Sequence, residues 1–368
     1  MRIGFDAKWF FSGPPSGRVW SREMTRRLAV GWPQHHWTWL LRTADRSRAA
    51  DVPPADDLVF ASAGWNLTSN VLSLPRQAAK KHLDVLVTQN FAAPTRTPQV
   101  TVIFDVIFES NPEYFTRSER AYLSFIKPLL RWSQKVVTIS ESSRDQLSAL
   151  GYLRPWHECT VVPCGVDERF FQDVDRDEVA RVRSNYRLPD RFVLYVGRLN
   201  ARKNLGLLIE AASRLRDTGA GLVIVGNPDG ATEDYPAIAE RFGIGGRTQF
   251  LGSVPDADLV PLYSAATVSA YLSRREGFGL PVLEAMACGT PVVASDESAL
   301  REVGGDVPIY VDPSSASATA EALDQMLASR ELRQERSARG RIRARQFTWD
   351  RSADSLVKVI ESAVVPKS

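Results

Sequence analysis

Short apolar runs alternate with segments of helical periodicity along most of the chain, and this alternation restricts the fold more than any other feature. In the first half the runs are Ile3–Phe5, Trp37–Leu41, Val85–Val87, Val100–Phe104 and Val136–Ile139. In the second half they include Phe192–Val196, Leu222–Val225 and Gln249–Leu251. Helical segments between them include Arg18–Val30, Arg117–Trp132, Ser142–Leu150, Asn204–Leu215 and Ala237–Phe242. This alternation predicts βαβ units, in which helices cover both faces of a parallel sheet.

The chain is long enough for two such domains. It has 368 residues, whereas single hydrophobic cores rarely grow beyond roughly 250–300 residues. A boundary is expected near Val161–Glu168, where an apolar run gives way to turn residues. The sequence therefore predicts an α/β protein with two Rossmann-like doubly wound domains, 1–168 and 169–346, and a final helical segment, 347–368, that returns to the first domain. Such sheets bind ligands at the carboxyl ends of their strands, so two facing domains would enclose a cleft.

Composition and charge exclude several other classes of protein. The apolar fraction is 44% and the charged fraction 24%, which are ordinary values for a globular protein and exclude a disordered or collagen-like chain. The net charge of +3 is too small to indicate a nucleic-acid partner. The charge is uneven, however, because residues 1–168 hold 20 Lys and Arg against 16 Asp and Glu.

The cysteines and the apolar stretches bear on location. Cys159, Cys164 and Cys288 are too few for a disulfide framework and lack metal-ligand spacing. No stretch approaches the roughly 18 apolar residues of a membrane span. The apolar run after Met1 is too short for a secretion signal and is interpreted as the first buried strand. A cytoplasmic protein is expected.

The first motif with chemical content is Val196-Gly-Arg-Leu-Asn-Ala-Arg-Lys-Asn204. It follows a predicted buried strand and leads into a helix, whose free N–H groups and dipole attract phosphate. Arg198 and Lys203 add full charges there: Arg can bind two oxygens at once, and Lys acts as a point charge. The motif therefore suits a diphosphate. The same two residues also fit a pair of solvated surface cations, and the motif alone favours neither interpretation.

The second motif is Arg275-Glu-Gly-Phe-Gly-Leu-Pro-Val-Leu-Glu284. A helix starting near Pro281 would place Glu276 on a loop and Glu284 in the first helical turn. Gly277 and Gly279 would let the backbone approach a hydroxyl-rich ligand closely. A carboxylate stabilised by the helix dipole is an adequate alternative for Glu284. That alternative does not explain the two glycines beside Glu276.

These motifs occur in an ordered set that resembles the donor-binding domain of glycosyltransferase family 4, whose members have the GT-B fold. The matching segments are Gly-Arg-Leu-x-x-Arg-Lys-Asn (197–204), Val-Gly-Asn (225–227), Phe-Leu-Gly-x-Val (250–254), Glu-Gly-Phe-Gly-Leu-Pro-Val-Leu-Glu-Ala-Met-Ala-x-Gly-x-Pro-Val (276–292) and Glu-Val-Gly-Gly-Asp (302–306). A looser resemblance extends through the N-terminal half. It implies retaining transfer of a sugar from a nucleotide-diphosphate donor, without a metal ion or a cofactor.

The resemblance also implies a role for individual residues. Arg198 and Lys203 would hold the diphosphate, Glu276 the hydroxyls of the donor sugar, and Glu284 the ribose, while Leu251–Val254 would line the base pocket. The donor-binding residues implied are Gly13, Gly17, Arg198, Lys203, Leu251, Val254, Glu276, Gly277, Phe278, Gly279, Leu280 and Glu284. The expected catalytic residues are Glu276, Asp105, Arg198 and Lys203.

The N-terminal half is expected to bind the acceptor. Gly13 or Gly17 matches the family's first loop, which comes near the donor phosphate. Trp9–Phe11 suit stacking on an acceptor sugar, although a buried role for at least one of these rings is favoured. Many members have His-Asp where this chain has Phe104-Asp105, and Asp105 remains the candidate polar group. None of the four histidines lies in a recognisable motif.

The sequence thus predicts a hexosyltransferase of bacterial surface polysaccharide biosynthesis, with GDP-mannose favoured as donor and a UDP-sugar next. Its acceptor would be a glycan or lipid-linked glycan. The alternatives are a non-catalytic sugar-nucleotide-binding protein and a GT-B epimerase or sugar-phosphate synthase. A peripheral contact with the anionic inner face of the plasma membrane is also expected. The basic residues of that contact would be Arg117, Arg120, Lys127, Arg131 and Lys135, on or just after one predicted helix.

Overall fold

The computed structural model describes residues 1–61, 66–229 and 232–364. The chain divides into two compact units. Unit 1 comprises Met1–Ser110, Arg117–Gly165 and the residues from Thr348 onward. Unit 2 comprises Asn111–Thr116 and Val166–Phe347. The change from unit 1 to unit 2 at Gly165 thus precedes the predicted boundary by three residues, and the hexapeptide 111–116 was assigned by sequence to the other domain.

Unit 1 contains a seven-stranded, entirely parallel sheet. Its strands are β1 (Arg2–Asp6), β2 (His36–Arg42), β3 (Asp57–Ala61), β4 (Val85–Gln89), β5 (Gln99–Ile103), β6 (Lys135–Thr138) and β7 (Glu158–Val161). They lie in the order β3-β2-β1-β4-β5-β6-β7. The two edge strands, β3 and β7, were not predicted. Both are only partly buried, so they lack the fully buried apolar run that marks a central strand.

Along the chain, the helices of unit 1 lie between its strands or after them. They are α1 (Pro15–Gly31), α2 (Asn66–Thr68), α3 (Leu74–Lys80), α4 (Ile107–Ser110), α5 (Arg117–Leu123), α6 (Ile126–Leu130), α7 (Glu141–Ala149) and α16 (Trp349–Val364). The single helix predicted over Arg117–Trp132 is wrong, because the structure has two short helices there. Pro128 explains the break, since proline lacks an N–H group and its ring clashes with the carbonyl four residues earlier, that of Ser124.

Unit 2 contains a six-stranded parallel sheet in the order β10-β9-β8-β11-β12-β13. Its strands are β8 (Phe192–Val196), β9 (Gly221–Val225), β10 (Thr248–Gly252), β11 (Val268–Tyr271), β12 (Val292–Ser295) and β13 (Ile309–Val311). Its helices are α8 (Arg176–Asn185), α9 (Leu205–Ser213), α10 (Tyr235–Arg241), α11 (Asp256–Ala265), α12 (Leu280–Cys288), α13 (Ser298–Gly304), α14 (Ala316–Ala328) and α15 (Arg330–Ala344). None of the helices within the described ranges is long and apolar enough to cross a membrane.

Both sheets reverse their strand order beside their first strand. In unit 1 the reversal lies between β1 and β4, and in unit 2 it lies between β8 and β11. Ligands of open α/β sheets bind outside the carboxyl ends of the strands at such a reversal. In unit 2 this point brings together the loop after β8 and the loop after β11, which carry the two motifs found in the sequence.

The last helix, α16, belongs to unit 1. It contacts α1 and the central strands β4, β5 and β6, and its apolar face is buried. Ser352 Oγ donates a hydrogen bond to the carbonyl of Pro163 (2.5 Å), and Arg27 pairs with Asp350 (2.6 Å). Unit 1 is therefore built from strands of the first half of the chain and a helix from its last part.

Candidate functional site

The loop after β8 is held in place by backbone contacts. The Gly197 N–H donates to the Val225 carbonyl (3.0 Å), and Tyr195 Oη donates to the Arg198 carbonyl (2.9 Å). A short 3₁₀ turn, Ala201–Lys203, follows, and Asn204 in a left-handed conformation leads into α9. Because of this turn, Arg202 and Lys203 are buried rather than exposed on a helix.

Four side chains meet at the strand-order reversal of unit 2, and we call them the Glu276 cluster: Arg202, Lys203, Tyr271 and Glu276. Lys203 Nζ lies 2.5 Å from Glu276 Oε1, and Arg202 Nη1 lies 3.1 Å from Glu276 Oε2. Tyr271 Oη donates to Glu276 Oε1 (2.9 Å) and accepts from Lys203 Nζ (2.5 Å). Each of the three charged residues is at most 7% exposed. Two residues predicted to bind different parts of a donor thus form one buried ion pair.

The charges of this cluster do not cancel. Burial by itself would raise the pKa of Glu276, but Lys203 and Arg202 together hold it well below its usual range. Burial lowers the pKa of Lys203 to about 7, against the opposing effect of Glu276 and with a further contribution from Arg202. With both cations protonated, two positive charges share one carboxylate. In that protonation state the cluster has a surplus positive charge in a poorly solvated place, where an anionic ligand would be strongly attracted.

Arg198 forms its ion pair with a carboxylate outside the Glu276 cluster. Its Nη1 is 2.7 Å from Asp229 Oδ2, and both side chains are partly exposed. The two cations predicted to hold a diphosphate therefore have different carboxylate partners.

Glu284 lies on α12, which begins at Leu280. It is consequently in the second helical turn and not in the first, as a start at Pro281 would have placed it. Tyr263 Oη donates to Glu284 Oε2 (3.0 Å). Burial raises the pKa of Glu284 to about 7. The ionised form of this carboxylate therefore lowers the stability of the fold, and carboxylates with such raised pKa values are typical of ligand-binding sites.

Replacing Glu284 by Gln should stabilise the protein at pH 8 but not at pH 4.5. The folded-state pKa of Glu284 is above its unfolded value, so ionisation favours the unfolded chain as the pH rises from about 4.5 through 7. Glu284→Gln removes this cost, which is on the order of 3 kcal/mol above pH 7. Urea unfolding of both proteins at the two pH values measures the difference. An equal change in the free energy of unfolding at pH 4.5 and pH 8 would contradict the prediction.

The loop between Glu276 and Glu284 is anchored by the aromatic side chain of Phe278. Phe278 is buried, with its ring 6.0 Å from that of Phe347. Gly277 and Gly279 are buried beside it, and Leu280, the first residue of α12, is only partly buried. The predicted contact of this segment with a donor would therefore be made by the backbone, because the Phe278 side chain belongs to the core.

The predicted base pocket lies at the edge of the second sheet, where β10 ends. Leu251 and Val254 are both partly exposed there. The Gly226 N–H donates to the Gly252 carbonyl (2.9 Å), and Asn227 Nδ2 donates to Ser253 Oγ (2.8 Å). This segment is therefore joined to the loop after β9.

The corresponding reversal in unit 1 carries a second buried ion pair, which the sequence did not predict. Lys8 Nζ lies 2.9 Å from Asp6 Oδ2 and donates to Asn70 Oδ1 (2.6 Å). All three residues are buried, and burial lowers the pKa of Lys8. Lys8 also donates its backbone N–H to Asp6 Oδ1 (3.2 Å). These bonds fix the start of the loop that leads to Gly13.

Gly13 and Gly17 both face the indole of Trp9. A Cβ atom on Gly13 would lie 2.7 Å from Trp9 Cδ1, and one on Gly17 would lie 2.4 Å from Trp9 Cε3. The rings of Trp9, Phe10 and Phe11 are at most 7% exposed. The structure thus gives all three rings a packing role, and the space left by the two glycines is filled by the chain's own tryptophan.

Gly17→Ala should lower the free energy of unfolding by about 1–3 kcal/mol, because the added methyl group would overpack against Trp9. Gly31→Ala is the matched control at the other end of α1. A Cβ there would meet no atom within 4 Å, so that substitution should be neutral or stabilising. Denaturant unfolding of both variants tests the prediction, which fails if they are equally stable.

Phe104 occupies the position at which the family resemblance of the sequence implies a histidine. Its ring lies 5.6 Å from the rings of both Trp9 and Trp20, and its carbonyl accepts from Ser143 Oγ (3.1 Å). The next residue, Asp105, is partly buried and accepts the backbone N–H of Ile107 (3.2 Å). An aromatic cluster therefore replaces a titratable ring, and Asp105 is the polar group beside it.

Arg202, Tyr271, Tyr263 and Asp229 were missed as site residues. Arg202 stands inside the first motif, so its position beside Lys203 was a usable signal. Tyr271 is the last residue of a buried strand, which the carboxyl-end rule could also have identified. Asp229 had no such signal, because its pairing with Arg198 depends on how two loops lie together.

Metal-binding geometry is absent from the part of the chain that the structure describes. No group of three or more His, Cys, Asp or Glu side chains there is placed to hold a metal ion.

Comparison with known proteins gives matches along most of the chain. The profile described as "Glycosyl transferases group 1" matches residues 177–343, and that of "Glycosyltransferase Family 4" matches residues 23–170. The O-antigen chain mannosyltransferase B of Escherichia coli is 32% identical over 271 residues, which are 71% of this chain and 70% of that protein. The D-inositol 3-phosphate glycosyltransferase of Gordonia bronchialis is 33% identical over 63% of this chain, which spans 53% of that longer protein.

A solved structure shows the same architecture. HepE of Anabaena, in complex with UDP and glucose, superposes with a TM-score of 0.75 at 19% identity. The match covers 98% of this chain and all of the other. At this identity the likeness shows the fold, which is GT-B, with two Rossmann-like parallel-sheet domains.

Proposed function

The chain belongs to the group 1 glycosyl transferases of glycosyltransferase family 4, and on that premise we propose that it is a retaining hexosyltransferase. Its donor would be a nucleotide-diphosphate sugar, and its acceptor a glycan or lipid-linked glycan of bacterial surface polysaccharide biosynthesis. A mannose donor is favoured because the O-antigen chain mannosyltransferase B shares 32% identity, and GDP-mannose is the mannose donor that the family resemblance favours. A UDP-sugar is the next choice, since HepE binds UDP and glucose.

The observation that carries this proposal is the Glu276 cluster itself, in which two buried cations share one carboxylate at the strand-order reversal of unit 2. When the bond between the anomeric carbon and the phosphate oxygen breaks, negative charge accumulates on the departing diphosphate. Lys203 and Arg202, fixed by Glu276 and Tyr271, would stabilise that charge without reorganising. Arg198 would add a guanidinium from the same loop. In this scheme the side chains do the work of a metal ion, and no cofactor takes part.

The two carboxylates would place the rest of the donor. Glu276 would accept hydrogen bonds from sugar hydroxyls, and Glu284 would accept them from the ribose. The acceptor oxygen would then bond to the anomeric carbon on the face that the diphosphate leaves, which retains the configuration, and the departing diphosphate would take up the proton of the acceptor hydroxyl. Asp105, on unit 1, is proposed as the polar group on the acceptor side. Leu251 and Val254 would flank the base.

A panel of nucleotide sugars tests the donor assignment. A bound donor raises the melting temperature by mass action, and GDP-mannose should raise it most. Transfer from the selected donor, with the anomeric configuration of the product read by NMR, then tests retention. An inverted product, or no stabilisation by any GDP- or UDP-sugar, would contradict the proposal.

The aromatic replacement at Phe104 favours one alternative enough to test it. If a histidine is needed for turnover, the protein would bind sugar nucleotides without transferring the sugar. Product analysis with and without an acceptor separates this binding protein from a transferase. The same analysis identifies an epimerase or a sugar-phosphate synthase by its product.

We also propose a cytoplasmic location with a peripheral contact between unit 1 and an anionic membrane. Phe125 is 49% and Trp156 54% exposed, and Arg117, Arg120 and Arg131 are exposed. Of the residues first expected there, Lys127 donates to the Leu150 carbonyl (2.6 Å) and Lys135 pairs with Glu158. Those two lysines are therefore assigned a structural role. Flotation with anionic vesicles at low salt tests the contact, which Phe125→Ser should weaken.

A further inference from the structure

Asp229 stands where it would oppose donor binding. Its carboxylate lies 2.7 Å from Arg198 Nη1, and Arg198 is one of the three cations assigned to the diphosphate. Asp229 is exposed and lies in the loop after β9, so its ion pair is accessible to solvent and to ligands.

Backbone hydrogen bonds hold the loops that carry Arg198 and Asp229 together. The Leu199 N–H donates to the Asn227 carbonyl (2.9 Å), and the Asp229 N–H donates back to the Leu199 carbonyl (3.2 Å). A Cβ atom on Gly226 would lie 1.8 Å from the Gly197 carbonyl oxygen, so only glycine permits so close an approach. The loops after β8 and β9 are therefore joined directly beside the Arg198–Asp229 pair.

The cations of the first motif thus have carboxylate partners within the protein. Glu276 is shared by Lys203 and Arg202, and Asp229 pairs with Arg198. Glu276 is buried and forms part of the cluster, whereas Asp229 is exposed and can move away. An incoming diphosphate would displace Asp229 more readily than Glu276.

We propose that Asp229 is an internal competitor of the donor diphosphate for Arg198. This inference rests on the proposed function and concerns how that site exchanges its ligand. In the empty site Asp229 neutralises Arg198. A bound diphosphate takes its place, and Asp229 recovers the guanidinium when the nucleoside diphosphate leaves. Asp229 is thus a positioning residue that weakens product binding and favours release.

The test is titration calorimetry of the full chain with UDP and with GDP at low ionic strength. Asp229→Asn keeps the size of the side chain and removes the competing charge. Exposed ion pairs of this kind are worth little, so the Kd should fall by about two- to five-fold. Asp229→Glu keeps a carboxylate and should bind as the wild type does. Glu335→Gln, which breaks the exposed pair with Arg339 (2.9 Å) outside every motif of the donor domain, is the matched control and should leave the Kd unchanged.

The double variant Arg198→Gln/Asp229→Asn adds a readout that a structural role would not give. It should show no gain over Arg198→Gln alone, because the competitor matters only while Arg198 is present. An unchanged or weaker affinity of Asp229→Asn, with the wild type binding and Arg198→Gln impaired, would overturn this inference alone. Failure of the wild type to bind either nucleotide, or normal binding by Arg198→Gln, would overturn the proposed site as well.

Discussion

Glu276→Ala should abolish most of the transfer activity and also weaken the fold. The carboxylate is the shared partner of Lys203 and Arg202 and the acceptor for Tyr271. Its loss would remove the proposed contact with the sugar hydroxyls and release the cations that stabilise the leaving group. A fall in kcat of about 10²–10³ is expected for the loss of such preorganised electrostatics. Steady-state transfer with a donor of verified binding measures it.

The cost to stability follows from burial. Breaking a buried ion pair from one side leaves a charge without compensation, which costs about 3–5 kcal/mol. Glu276→Gln keeps the shape and part of the hydrogen bonding, so its loss of stability should be smaller.

A second buried carboxylate serves as control for Glu276. Glu23 is buried and pairs with Arg27 on α1, outside the proposed donor site. Glu23→Gln should lower the free energy of unfolding while leaving kcat of the folded protein near the wild-type value. Near-normal transfer by Glu276→Ala would remove Glu276 from the proposed mechanism.

Lys203→Met should reduce transfer by a similar factor, about 10²–10³, but with little loss of stability. The ammonium group is buried and is costly to keep charged, and Glu276 would retain Arg202 and Tyr271 as partners. The affinity for the nucleoside diphosphate should fall as well. Activity and stability would thus separate in this variant, whereas in Glu276→Ala they fall together.

Lys203 also predicts a pH dependence of binding. Its pKa of about 7 means that the free protein loses this charge as the pH rises through 7. A diphosphate prefers the protonated lysine, so binding above pH 7 takes up a proton. The Kd should increase by up to about tenfold per pH unit between 7 and 9. Calorimetry in buffers with different heats of ionisation measures the uptake.

Lys203→Arg is the control for this dependence, because a guanidinium stays charged throughout this range. Its Kd should be nearly constant from pH 7 to 9. A constant Kd for the wild type over the same range would show that Lys203 keeps its proton and would refute the prediction.

The second half of the chain was the more predictable from sequence. Phe192–Val196 was predicted as a strand and is β8 with the same bounds, because a central parallel strand needs a continuous apolar run. Lys203 and Glu276 are 73 residues apart in sequence, yet the rule for carboxyl ends placed both at one point. Neither their direct contact nor the sharing of Glu276 with Arg202 follows from that rule, since it places loops and not side chains.

The first half was less predictable for reasons that can be traced to particular residues. Edge strands such as β3 lack a continuous apolar pattern, and Pro128 divides a helix whose periodicity looked uninterrupted. Trp9 was considered as a stacking platform, but the positions of Gly13 and Gly17 relative to its indole appear only in three dimensions. Phe104, read as a missing histidine, proves to be part of an aromatic cluster.

The position of α16 has a consequence for the order in which the protein can mature. Unit 1 begins at Met1, but the helix that covers β4, β5 and β6 starts at Trp349. During synthesis, unit 2 is complete once Phe347 has left the ribosome, whereas unit 1 still exposes the apolar surface that Leu356 and Ile360 will cover. The half that is made first is therefore finished last, and loss of α16 would leave the apolar surface over β4, β5 and β6 uncovered.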